Sequence, residues 1–212
     1  MNLAIVKYNA GNIQSVLYAL ERIGYTATVT DDPAEIRAAG KVIFPGVGEA
    51  STAMDYLKER GLDQLLRELR QPVLGICLGM QLMCSHSEEN DTECLGIFEE
   101  KVKKFDPAAG GAPGREVPAG KDTGAASFKV PQIGWNSIYD LHSPLFAGLA
   151  EDSYCYFVHG YYAALGEHTI ARTDYIQPYS SALQKDNFYG VQFHPEKSAE
   201  AGERILKNFI TI

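Results

Sequence analysis

The segment "PVLGICLGMQLM", residues 72–83, sets Cys77 between Gly75 and Gly79 where an apolar strand runs into a helix. G-x-C-x-G at such a junction is the cysteine form of a nucleophile elbow. The turn holds the nucleophile in strained backbone geometry, and the glycines remove Cβ atoms that would clash. The sulfur then lies at a helix N-terminus, where the dipole and free N–H groups favour thiolate. The alternative is a small core cysteine whose glycines serve close packing.

A thiolate nucleophile needs a proton carrier, and the chain has five histidines. His194 stands in "YGVQFHPEKS", after a strand-like run over 189–193, with Glu196 two positions on. In extended backbone i and i+2 face the same way, so Glu196 can hold one imidazole nitrogen while the other meets a thiol. Pro195 restricts φ between them. Taken alone, His-Pro-Glu is also consistent with an ordinary turn. Acyl chemistry on sulfur needs oxyanion donors as well. The N–H of Leu78, next after the cysteine, is the first candidate. "FPGVGEAS" offers the second, because Gly46 and Gly48 let the backbone turn an N–H of Val47 or Gly48 toward a substrate. A plain glycine-rich loop is the competing reading.

The elements that must position these residues follow from periodicity. "LAIVKY", "TATVT", "KVIFPGVG" and "PVLGI" read as short buried strands. Between them Ile13, Val16, Leu17, Leu20 and Ile23 mark one helical face, with Asn12 as N-cap and Gly24 as the stop. Met54, Leu57, Leu62, Leu65, Leu66 and Leu69 mark helical material broken near Gly61, and "GMQLMCSH" opens a further helix. Such alternation implies βαβ units. The second half reads as closely spaced strands in "EKVKKF", "WNSIYDL", "YCYFVHGYYAAL", "HTIART", "SALQKD" and "FYGVQF". A closing helix carries Ile205, Leu206, Phe209 and Ile210. The expected fold class is α/β, a mostly parallel central sheet flanked by helices, with an antiparallel β portion in the second half. One domain is expected over residues 1–212. It is interrupted by a Gly/Ala/Pro-rich segment at about 106–127 that reads as a surface loop.

With 27 acidic and 19 basic side chains and a net charge of −8, the chain does not read as a nucleic-acid or anionic-membrane binder. No apolar stretch approaches the roughly 18 residues of a membrane span, and the opening does not read as a signal peptide. Cys77, Cys84, Cys94 and Cys155 show no C-x-x-C spacing. The expectation is a reduced, cytoplasmic protein with no metal and no cofactor.

"PGVG", "GICLGMQ" and "HPEKS", in that order, resemble the class I (triad) glutamine amidotransferases. "YNAGNIQSV", "VPQIGWNS" and "YFVHGYYA" resemble the branch of that family that serves histidine biosynthesis. "GWNS" followed by "YFVH" argues against the branches for purine, pyridoxal phosphate or anthranilate synthesis. The resemblance implies that Cys77 attacks the side-chain amide of L-glutamine, His194 shuttles protons and Glu196 orients His194. Gly48 and Leu78 match the oxyanion donors, and Gln81, with Gly46, the glutamine pocket. It implies a heterodimer with a (β/α)8-barrel cyclase subunit that receives the ammonia. Lys197, Trp135, Tyr156 and Asn12 are then expected along the interface and the ammonia path. Gln132 and Ile133 stand where that branch usually has histidine and methionine.

Overall fold

The structure is a computed structural model and describes residues 2–8, 12–109 and 128–212. Most of the 106–127 segment lies outside them. The first half runs β1 (Leu3–Val6), α1 (Ile13–Arg22), β2 (Thr28–Thr30), α2 (Pro33–Ala38), β3 (Lys41–Gly46), α3 (Ala50–Glu59), α4 (Leu62–Glu68), β4 (Val73–Cys77) and α5 (Leu78–Met83). The second half is mainly strands: β5 (His86–Ser87), β6 (Thr92–Glu93), β7 (Lys101–Lys104), β8 (Gln132–Ile138), β9 (Ser153–His159), β10 (Tyr161–Ala163), β11 (Thr169–Asp174), β12 (Pro178–Lys185) and β13 (Phe188–Val191). Helix α6 (Ala199–Thr211) ends the chain.

Eleven strands form one sheet in the order β2-β1-β3-β4-β13-β12-β10-β7-β5-β6, with β11 paired to β12. Strands β2, β1, β3, β4 and β13 are mutually parallel, and β12 joins β13 antiparallel. The parallel strands bury both faces, as such sheets must. Ala4, Val6, Val42 and Phe44 pack toward Ile36, Leu57, Leu65 and Met80 on one side. Leu3, Ile5, Ile43 and Ile76 pack toward Val16, Leu20, Ile205 and Phe209 on the other. The two-residue alternation of β1 and β3 thus divides the helices into two layers.

Several sequence expectations are corrected here. Helix α2 adds an element to those expected from the sequence; Ile36 is its buried residue. Asp32 caps it, accepting from the Ala34 N–H at 2.7 Å. Helix α5 stops at Met83, and His86 enters a strand instead of continuing the helix. Among the described residues, strands β8 and β9 pair only with each other, as a separate two-stranded ribbon outside the main sheet. Asn12 adopts a left-handed backbone and makes no side-chain cap.

Helix α6 sits directly on the Pro195–Lys197 turn, because Gly202 has no side chain. A Cβ there would overlap the Pro195 carbonyl and approach Ser198 Cβ to 2.9 Å. We expect Gly202→Ala to destabilise the fold by about 1–3 kcal/mol through overpacking. The measurement is a lower urea midpoint at constant m-value; an unchanged midpoint refutes this packing argument.

Candidate active site

Three parallel strands end at one edge. The register pairs Gly46 with Cys77 across β3 and β4, and Val191 with Ile76 across β13 and β4. Whatever follows β3, β4 and β13 therefore converges at the carboxyl edge of the sheet, where α/β folds gather ligands. Those continuations are Val47 and Gly48, Leu78, and the stretch from Gln192 to Glu196.

Cys77 has φ 54 and ψ −110, a conformation L-residues rarely adopt. The flanking glycines explain how it is held. A Cβ on Gly75 would come within 2.8 Å of the Met80 nitrogen, and one on Gly79 would overlap the Phe44 carbonyl oxygen. Their absence lets α5 start flush against β4 and β3. Leu78 is the first residue of α5, so its N–H is one of those a helix leaves without an internal partner. The sulfur approaches the Val158 carbonyl at 3.8 Å and Gln192 Nε2 at 3.7 Å.

His194 and Glu196 are buried, and His194 Nδ1 lies 2.8 Å from Glu196 Oε1. The pair forms across a tight 3-10 turn, Pro195–Lys197, and not across the extended backbone expected from the sequence. Asn12 Nδ2 donates to the same Oε1 at 2.6 Å. Asn12 thus braces Glu196 from the start of α1. Burial disfavours a charged His194 ring, but hydrogen bonds and charge from Cys77 and Glu196 outweigh it and raise its pKa to about 10. The balance favours a charged His194 ring.

Cys77 and His194 open on a cavity of about 420 Å³, within the usual range for small-molecule sites. Val47, Gly48, Leu78, Gln81 and Lys197 also line it. Gly46 does not; it packs against the Tyr8 hydroxyl, which a Cβ would strike. Gly48 has φ 122, a conformation costly for any other residue, in open surroundings. Lys197 is exposed, with Nζ 5.9 Å from the Tyr156 ring centroid. Trp135 stacks edgewise on Tyr156 at 5.9 Å on the ribbon, away from the cavity lining. Gln132 is buried and takes a hydrogen bond from Tyr179, whereas Ile133 is exposed.

Sequence reasoning missed Glu89, His159 and Tyr161, which also line the cavity. Glu89 is the acidic group of that lining. Its pKa is raised by burial, held back by the Ala50 N–H, and raised again by Glu49. His159 donates through Nδ1 to the Tyr161 carbonyl at 2.7 Å, and burial lowers its pKa to about 4. It is a neutral ring beside a charged one. No spacing rule links these residues to Cys77. Glu89 sits in an irregular turn, and the other two lie where β9 passes into β10.

Residues 4–212 match the family described as Glutamine amidotransferase class-I. The chain is 56% identical to the imidazole glycerol phosphate synthase subunit HisH of Bacteroides fragilis, covering all of both proteins. It is 53% identical to the protein of the same name from Bacteroides thetaiotaomicron, again over both full lengths. The solved structure of PurLQS from Thermotoga maritima shares the fold, with a TM-score of 0.66 at 14% identity over 99% of this chain and 97% of that one. The chain belongs to the class I glutamine amidotransferase family. Within it, the chain falls in the HisH line, the glutaminases of histidine biosynthesis.

The charge balance around His194 gives a direct test. Because its pKa is raised from the ordinary 6.5 to about 10, the ring stabilises the folded state fully below pH 6.5, and that contribution fades as pH rises toward 10. Removing the sulfur with Cys77→Ala removes one of the two groups that raise it. We expect the His194 titration midpoint, followed by NMR of the ring, to fall in that variant. A midpoint equal to that of the parent chain contradicts the coupling.

Proposed function

We propose that Cys77 is the nucleophile, His194 the proton carrier and Glu196, braced by Asn12, the group that orients His194. The anionic sulfur attacks the side-chain amide carbon of L-glutamine, and His194 delivers a proton to the departing ammonia. Water then attacks the γ-glutamyl thioester, with His194 accepting its proton; the C–S bond breaks to release glutamate and restore the anionic sulfur beside a protonated His194. Leu78 N–H and an N–H of Val47 or Gly48 stabilise the oxyanion. Glu89 suits the substrate's ammonium group, and Gln81 a polar end of the same molecule. The observation that carries this reading is the convergence of a strained cysteine and a raised-pKa, carboxylate-braced histidine on one cavity.

The ammonia goes to a cyclase subunit with a (β/α)8 barrel, joined with this chain as the imidazole glycerol phosphate synthase heterodimer in the cytoplasm. The support for a docked partner is the ribbon. Ile133, Trp135 and Tyr154 are 64%, 53% and 62% exposed, an unusual concentration of large apolar side chains on one small element. Val158, paired with Ile133, lines the cavity, so a partner on this ribbon sits at the mouth. Lys197 stands at the same mouth and reaches an acidic group on the partner, while Tyr156 backs it. No helix among the described residues is long and apolar enough to cross a membrane.

Cys77→Ala in the assembled complex is expected to abolish synthesis from glutamine and to preserve synthesis from added ammonium salts. Loss of both in a folded, associated complex overturns the assignment. Trp135→Ala is expected to weaken association with the barrel by about tenfold or more, as loss of a central aromatic anchor does. Titration calorimetry with the barrel protein measures it, and an unchanged affinity places the docking surface elsewhere.

A further inference from the structure

Gln192 is fully buried two residues before His194, and nothing in the triad chemistry above uses it. Its surroundings fix which way its amide points. Gln81 Nε2 lies 2.9 Å from the Tyr161 carbonyl, a group that can only accept, so that end of Gln81 must be the NH2. The same Nε2 lies 2.9 Å from the Gln192 amide, which must therefore present its oxygen. The other end of Gln192 is then an NH2, and it lies 3.7 Å from Cys77 Sγ. One backbone carbonyl thus sets the direction of two side-chain amides. The last of them aims an N–H at sulfur.

We propose that Gln192 is a positioning residue that holds the Cys77 sulfur as a hydrogen-bond acceptor and ties it to Gln81 in the substrate pocket. A donor aimed at sulfur favours the anion over the thiol, because the anion is the stronger acceptor. The donor also restrains the side chain about χ1, because a held sulfur cannot rotate freely. The relay uses both hydrogens of the Gln81 amide, leaving Gln81 Oε1 as the group available to a ligand. A ligand that pulls on Gln81 therefore acts on the sulfur through one intervening side chain. Gln192 thus reaches the sulfur as a neutral donor, distinct from the charged ring of His194 in the same cavity lining. The inference rests on Cys77 as the nucleophile, which the Cys77→Ala comparison decides by itself.

The test uses the heterodimeric complex and the pH dependence of Cys77 alkylation by iodoacetamide, located by peptide mass. Gln192→Met keeps the side-chain length and removes the donor. Gln192→Glu keeps an acceptor for Gln81 and turns an oxygen to the sulfur. Both are expected to displace the alkylation profile to higher pH, Gln192→Glu further. At a pH on the rising limb, alkylation and kcat/KM for glutamine should each fall about tenfold, one unit of displacement. Synthesis from ammonium salts should be retained. A profile identical to the parent's in either variant that retains ammonia-dependent synthesis overturns the proposal. If both variants lose that synthesis together with the fold, Gln192 is a structural residue and the proposal is likewise overturned. Cys77→Ala failing its own comparison, with Gln192 variants still shifting alkylation, instead refutes the nucleophile assignment.

Discussion

The site depends on one backbone constraint, the conformation of Cys77 at φ 54 and ψ −110. Holding a non-glycine residue there costs on the order of 1–3 kcal/mol and persists only where the surroundings over-determine it. Here they do so from three sides. Strand β4 is buried between β3 and β13, so the residue before the turn cannot shift. Helix α5 begins immediately after it and is buried along its whole length, pressed on Phe44 through Gly79. Met80 also fills the space over Gly190, where a Cβ would strike its side chain. The strained residue is clamped between two strands and a helix that have no room to relax. In return the sulfur stands clear of its own strand, at the start of α5, facing the cavity.

The electrostatics build on that placement. A buried imidazolium is costly unless paired and hydrogen-bonded. Glu196 supplies a partner on one side and the sulfur on the other. The carboxylate is itself steadied by Asn12 from a different element. In the same lining, His159 has its charge suppressed by burial and its proton committed to the Tyr161 carbonyl. The two histidines thus differ through environment alone. One is raised by its neighbours Cys77 and Glu196, and the other meets a carbonyl and a phenol, Tyr179. This leaves His194 as the one imidazolium among the described residues that line the cavity.

The elements of the fold were legible where local pattern decided them. The strand-to-helix elbow at Cys77, the break at Gly61 and the apolar stripe of α6 are short-range features, and periodicity finds them. The ribbon of β8 and β9 was not legible as a separate sheet, because its residues have the same β-prone composition as strands that join the main one. Which strands pair is a long-range outcome. Cys77, His194 and Glu196 stood in recognisable motifs, but the contacts that brace them did not. Asn12 meets Glu196 across 184 positions, and Gln81 meets Gln192 across 111. Asn12 is a good N-cap type, so local reasoning gives it the wrong partner. Glu196 was paired with the right histidine for an incomplete reason, since a 3-10 turn brings the two together as effectively as an extended strand.

The ribbon also explains how docking and chemistry can be linked without a long pathway. His194 donates its backbone N–H to the Tyr156 carbonyl at 2.8 Å. The Tyr156 N–H donates to Ser198 Oγ at 2.9 Å, and that hydroxyl donates back to the His194 carbonyl at 2.6 Å. Strand β9 is therefore stitched on both sides of Tyr156 to the backbone that carries His194 and Glu196. On its outer edge the same strand pairs with β8 and presents Tyr154 to solvent. In the proposed complex, a partner that moves the ribbon also moves Tyr156 and, through these hydrogen bonds, the backbone that carries His194. Coupling of this kind needs the partner to favour one ribbon position over another, since equal affinity for both moves nothing. The exposed aromatic side chains of β8 and β9 are where that difference in affinity can arise. In the proposed complex the same small element then serves as docking surface, cavity wall and support for the proton carrier.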